Sequence, residues 1–228
     1  MTRPPPAVIA DAVAAATGRE HRNDASLPGT GGPAGNAQLT AWLGLVLLVL
    51  FAAELTTLLS VRQLISWHIA VGTLLIPPAL AKTTTTTWRI VRYYTEHRSY
   101  QQSGPPPLLL RLLGPLVVLT TLALLGSGIA VLALGPSTAF TPLLTVAGQQ
   151  VNALTIHQGA TLVWAVATGL HVLSRTISAI RLARIPGHGG LRVDGTLTRI
   201  VVLLLTLTVG VLATVLVLRA AGPWGTVQ

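Results

Sequence analysis

The chain has 228 residues, 51% hydrophobic and only 9% charged, with a mean hydropathy of +0.67. So little charge cannot cover a soluble domain, and several apolar runs reach the roughly 20 residues that cross a bilayer. The absence of cysteine excludes disulfides, thiolate-ligated iron–sulfur clusters and cysteine-linked haem. The net charge of +9 collects in particular loops, which excludes a soluble nucleic-acid-binding patch and is read instead as membrane topology.

Residues 1–39, with Pro4-Pro5-Pro6 and then Gly29–Gly35 rich in Gly, Pro and Thr, cannot build a core and are expected to form a disordered cytoplasmic tail. A cleavable signal peptide is not expected, because the first long apolar run starts only near Leu39. The pattern predicts an all-α, polytopic protein with five transmembrane helices over residues 40–221, near 40–60, 64–87, 108–134, 155–177 and 197–219. A short external tail, 222–228, follows. Glu54 is the one acidic residue in a span, Pro77-Pro78 should kink the second, and Pro105-Pro106-Pro107 precedes the third. Gly135-Pro136 and Gly222-Pro223 end the third and fifth.

Arginine sets the orientation. Arg89, Arg92, Arg98 and Arg111 fall in the loop after span two, and Arg175, Arg181, Arg184, Arg192 and Arg199 in the loop after span four. Arg3, Arg19 and Arg22 lie in the tail. The opposite loops carry only Arg62 or no charge, and the C-terminus Arg219. The positive-inside rule then places the N-terminus in the cytoplasm and the C-terminus outside.

Span four carries His157 and His171, fourteen residues apart. That spacing returns to nearly the same helix face about 21 Å along the axis. Ionisable groups at membrane depth are costly and point to function, and imidazole is an axial ligand of haem iron. With no cysteine, such a haem would be a non-covalent haem b. Sliding the chain by 89 residues aligns His68 with His157, Lys82 with His171 and Arg92 with Arg181. A shift of 87 or 88 aligns Gly135-Pro136 with Gly222-Pro223 and Arg111 with Arg199. Spans two and three thus read as a helical hairpin repeated as spans four and five, with span one an added helix. The repeat places His68 and His157 at one level, toward the outside, and Lys82 and His171 at a second, toward the cytoplasm. That arrangement would suit one or two stacked haems, with Gly72, Gly159 and Gly169 leaving room for a macrocycle.

The pattern resembles the bacterial cytochrome b561-like and ferric-reductase-like transmembrane haem proteins. The resemblance covers spans two to five and rests on His68, His157 and His171. It implies a four-helix haem-binding core, electron transport, and partners such as the quinone pool and a separate oxidoreductase. The chain would be an electron-transfer subunit and not a self-contained enzyme. Lys82 stands where a fourth histidine is expected, so the inner site has His171 opposite Lys82, another ligand or an open position.

Blander readings stand beside these. The histidines could bond neighbouring helices or lie at the interface, and Lys82 could snorkel to the headgroups or pair with a haem propionate. Glu54 could pass protons to a quinone or hold an adjacent Ser or Thr. The threonines at 83–87 would bond carbonyls freed by the proline kink, and Trp88 to Tyr94 would anchor the interface. His21, His97 and His188 fall in tail or loops, and the Gly187-His188-Gly189-Gly190 turn follows no strand and is no phosphate-binding loop. The rival functions are a haem-free membrane anchor and a small proton-coupled transporter.

Overall fold

The computed structural model describes residues 24–102, 108–184, 193–222 and 224, with 10, 11, 13, 14 and 17 in the tail. His21, His188, the proline triplet at 105–107 and the glycine-rich turn at 187–190 lie outside the described residues. Five long helices make up the body: α1 (Gly32–Thr57), α2 (Ile65–Tyr94), α4 (Leu108–Ala139), α5 (Ala153–Ala183) and α6 (Thr196–Ala220). A 3-10 turn at Leu58–Ser60 follows α1, and the short α3 (Arg98–Gln101) follows α2.

Among the described residues, four segments are long and apolar enough to cross a membrane, Gly32–Ser60, Arg111–Ala139, Ala153–Ala183 and Thr196–Ala220. They mark an all-α, multi-pass membrane protein. Helix α2 has the length, 30 residues, but Lys82 and the threonines at 83–87 interrupt its apolar character.

Several boundaries differ from the sequence expectation. Helix α1 begins at Gly32, with Gly31 left-handed before it (φ 79°) and Pro33 in its first turn, so it takes in residues expected in the tail. Proline there costs nothing, because the first N–H groups of a helix have no intrahelical partner. Helix α2 runs through Pro77-Pro78 without a break. Pro78 cannot bond the Leu74 carbonyl, and Gly210 of α6 packs there so closely that a Cβ would sit 3.2 Å from that oxygen. The threonines do not serve the carbonyls freed by the prolines: Thr84 donates to Leu80, and Thr85 and Thr86 to Lys82. In α4 the break falls at Gly135 (φ 72°), where the end was expected, but one more turn follows to Ala139. A β-hairpin, β1 (Leu144–Val146) with β2 (Gln149–Val151), fills the uncharged loop. Ala147 and Gly148 both take positive φ at its turn, as a tight hairpin requires.

The helices pack as two close pairs, α4 with α5 and α2 with α6, while α2 and α4 barely touch. The expected hairpin repeat matches α2 with α5 and α4 with α6, so it maps one close pair onto the other. Helix α1 breaks this symmetry by packing against α2, α5 and α6. Leu47, Leu75 and Ala79 bury the α1–α2 seam, joined by Phe51, Val71 and Leu125.

At the arginine-rich end the segment before α1 is tied down. Arg199, 4% exposed, donates to the Thr30, Asp194 and Val193 carbonyls and to the Thr196 hydroxyl. Asn36 bonds the Thr85 carbonyl, Trp42 the Ala183 carbonyl, and Asp24 pairs with Arg89. Arg199→Met keeps the bulk and removes these bonds. It should destabilise the fold by about 2–4 kcal/mol, read as a lower Tm by circular dichroism in detergent; an unchanged Tm would contradict the clasp.

Candidate functional site

His68 sits one turn into α2 and His157 one turn into α5, near the same end of the bundle. Asn152 caps α5, accepting from the Thr155 N–H at 2.9 Å, while the Thr155 hydroxyl accepts from the Asn152 N–H. This box fixes where α5 starts, and so the height of His157. The two imidazoles face each other with ring centres 6.3 Å apart and planes inclined by 71°.

Both imidazoles are held through Nδ1. The Ser127 hydroxyl, which donates to the Leu124 carbonyl at 2.9 Å, also lies 3.0 Å from His157 Nδ1. The Thr57 hydroxyl, which donates to the Glu54 carbonyl at 2.6 Å, lies 3.1 Å from His68 Nδ1. The Glu54 carboxyl group meets the same Nδ1 at 2.7 Å. With Nδ1 so engaged, Nε2 is the nitrogen each ring has left for a ligand. Among the described residues neither Nε2 makes a hydrogen bond.

A cavity of roughly 200 Å³ opens between α1, α2, α4 and α5 at this level. Phe51, Ile69, Leu125 and Trp164 supply much of its apolar wall, and Glu54, His68 and His157 are its ionisable groups. Trp164 is fixed by its bond to Thr121 and its stacking on Phe51. Two buried polar atoms on the cavity residues have no partner, Glu54 Oε2 and Trp224 Nε1. Gly128 lies against His157, where a Cβ would come within 3.1 Å of Cε1, and a Cβ at Gly72 would stand 3.6 Å from Glu54 Oε1. Gly159 and Gly169, expected to make room, have nothing near them.

The second level is different. Lys82 turns toward α1, donating to the Thr40 carbonyl at 3.3 Å, with Gly44 leaving the space for its ammonium. His171 Nδ1 is buried without a partner, and Lys82 and Arg175 lie near enough to act on it electrostatically. The structure thus brings His68, His157 and Glu54 together and turns Lys82 aside to a backbone carbonyl.

Sequence reasoning missed Thr57, Ser127, Gly128 and Trp224. Ser127 does carry a signal, standing between two glycines in an otherwise aliphatic span. His97, expected in a loop, caps α3 and bonds Arg92, which stacks on Trp88.

No protein-family model, curated protein or solved structure matches the chain. The chemistry of the site must be argued from its donors. The two rings stand 6.3 Å apart, each engaged by a neighbour at Nδ1, which leaves two imidazoles at the cavity as candidate ligands. Among the described residues no group of three or more His, Cys, Asp or Glu side chains is placed to hold a metal ion, whereas a bare transition ion wants at least four ligands. A haem iron brings four of its own and needs two imidazoles. Metal–imidazole bonds of about 2 Å on either side, with the ring radii added, put such ring centres about 6 Å apart. The residues present fit that group.

Gly128→Val should push His157 off Ser127 and cost about 1–3 kcal/mol, measured as Tm in detergent. Gly126→Val, at a position with nothing within 4 Å, is the control and should leave Tm nearly unchanged; equal losses would refute the close packing on His157.

Proposed function

We propose that the chain is a five-span b-type cytochrome, with a cytoplasmic N-terminus and an external C-terminus, carrying electrons between the quinone pool and a separate oxidoreductase. The observation that carries this reading is the pair of imidazoles of His68 and His157, ring centres 6.3 Å apart across the cavity, each held through Nδ1. Ligating histidines characteristically use their second nitrogen in this way, which fixes the tautomer and the ring orientation.

When bound, a haem b supplies a one-electron couple at membrane depth. The chain's own residues do the rest. His68 and His157 would hold the iron from both sides and leave it no open position, which suits electron transfer and not oxygen chemistry. Phe51, Trp164 and the surrounding aliphatic side chains keep water from the site. Glu54 and Thr57 orient His68, and Ser127 orients His157.

Lys82 bonds a backbone carbonyl, so the reading commits to one haem per chain at the His68–His157 level. His171 is left outside the ligand set. The five-span topology includes α2, whose arginine-rich end continues the charge asymmetry of the other loops. The quinone and the redox partner rest on the resemblance to membrane b-haem proteins.

Protein purified from haem-sufficient cells should give a b-type reduced-minus-oxidised spectrum and one haem per chain by pyridine haemochrome assay. His68→Ala and His157→Ala should each abolish it, and His171→Ala should retain it. Absence of haem from the wild-type protein would refute the reading.

A further inference from the structure

The two histidines are held unequally, and the difference is chemical. His157 Nδ1 meets a neutral hydroxyl, Ser127, at 3.0 Å on the helix paired with its own. The repeat predicts the same for His68. The residue 87 positions after Ser127 is Thr214, on α6, the helix paired with α2. Thr214 does lie beside α2, but its hydroxyl bonds the Ala70 carbonyl at 3.2 Å and not His68. Helix α1 has taken over that role and brings a carboxylate, Glu54, to His68 Nδ1 at 2.7 Å.

That carboxylate is set for a strong effect. It lies on a largely apolar cavity, where charge is poorly screened. No Lys or Arg lines the cavity, and Glu54 Oε2 is buried without a partner. Its bond to the Nδ1 proton is therefore the charge's main outlet, and it draws that proton away from the ring. An imidazole so held is a stronger electron donor through Nε2, and a stronger donor favours ferric over ferrous iron.

We infer that Glu54 is an electronic positioning residue: through its contact with His68 Nδ1 it makes His68 the stronger electron donor of two unequal axial ligands and holds the potential of the bound haem low. The inference rests on the b-type cytochrome reading. It assigns Glu54 no contact with the iron and no transfer of its own.

The test is a spectroelectrochemical titration of the haem-loaded protein in detergent, comparing wild type with Glu54→Gln and Ser127→Ala. Glutamine keeps the size and an accepting oxygen but loses the charge. Glu54→Gln should shift the ferric–ferrous balance toward ferrous by about tenfold, 59 mV for a one-electron couple, and Ser127→Ala should shift it distinctly less. A Glu54→Gln protein that keeps its haem at the wild-type potential overturns the inference, as does an equal shift in Ser127→Ala. Haem lost from Glu54→Gln but kept in Glu54→Asp at the wild-type potential supports it. Haem lost from both variants makes Glu54 an assembly residue and overturns the electronic role. Absence of haem from the wild type removes the cytochrome reading and this inference with it, whereas an unmoved potential in a haem-loaded variant removes the inference alone.

Discussion

A polar side chain in hydrocarbon has no water to turn to and must find its partner inside the chain. Most hydroxyls here meet that demand locally, bonding a carbonyl one turn back on their own helix, as Thr73, Thr120, Thr161 and Thr206 do. The local solution has a side effect wherever a second helix approaches. Thr57 and Ser127 bond carbonyls of their own helices in this way, and each also meets an imidazole Nδ1. Which nitrogen His68 and His157 have left for the cavity thus follows from residues of α1 and α4.

The packing converts that local chemistry into a site. Two close helix pairs leave a loose seam between α2 and α4, and α1 closes part of it without filling it. Small residues act at particular points: Gly128 lets His157 lie against α4, and Gly210 lets α6 approach the proline pair of α2. That approach also shows why α2 stays helical there, because the carbonyl Pro78 cannot bond is covered by a neighbouring helix.

The apolar helices were legible in the sequence because hydropathy alone determines them. The meeting of His68 with His157 was legible because it is encoded twice, by the shift of 89 residues and by position at corresponding helix starts. Glu54 stood out as a lone acid, but its partner did not, since α1 lies outside the repeat and nothing in its own pattern says which helix it faces. The direction Lys82 takes was hidden for a related reason. Its alignment with His171 gives a level in the bundle, whereas its direction is set by Gly44 and the Thr40 carbonyl on another helix. The hairpin was hidden in a loop defined only by its lack of charge, although the Ala147-Gly148 turn between short β-prone runs was there to be read.

The Arg199 clasp has a consequence for how the protein is made. It joins the turn before α1 to the start of α6, so the bond to Thr30 spans 169 residues of chain. Chains emerge from the ribosome N-terminus first, and α1 is synthesised long before the residue that fastens it. Until α6 appears, the segment carrying Thr30 lacks that anchor, and the carbonyls Arg199 will bind remain open to water at the membrane surface. The final helix therefore adds the last of several ties on α1 and the segment before it, after those of Asn36 to Thr85, Trp42 to Ala183 and Asp24 to Arg89, and a ribosome that stops short of α6 releases an assembly that lacks it.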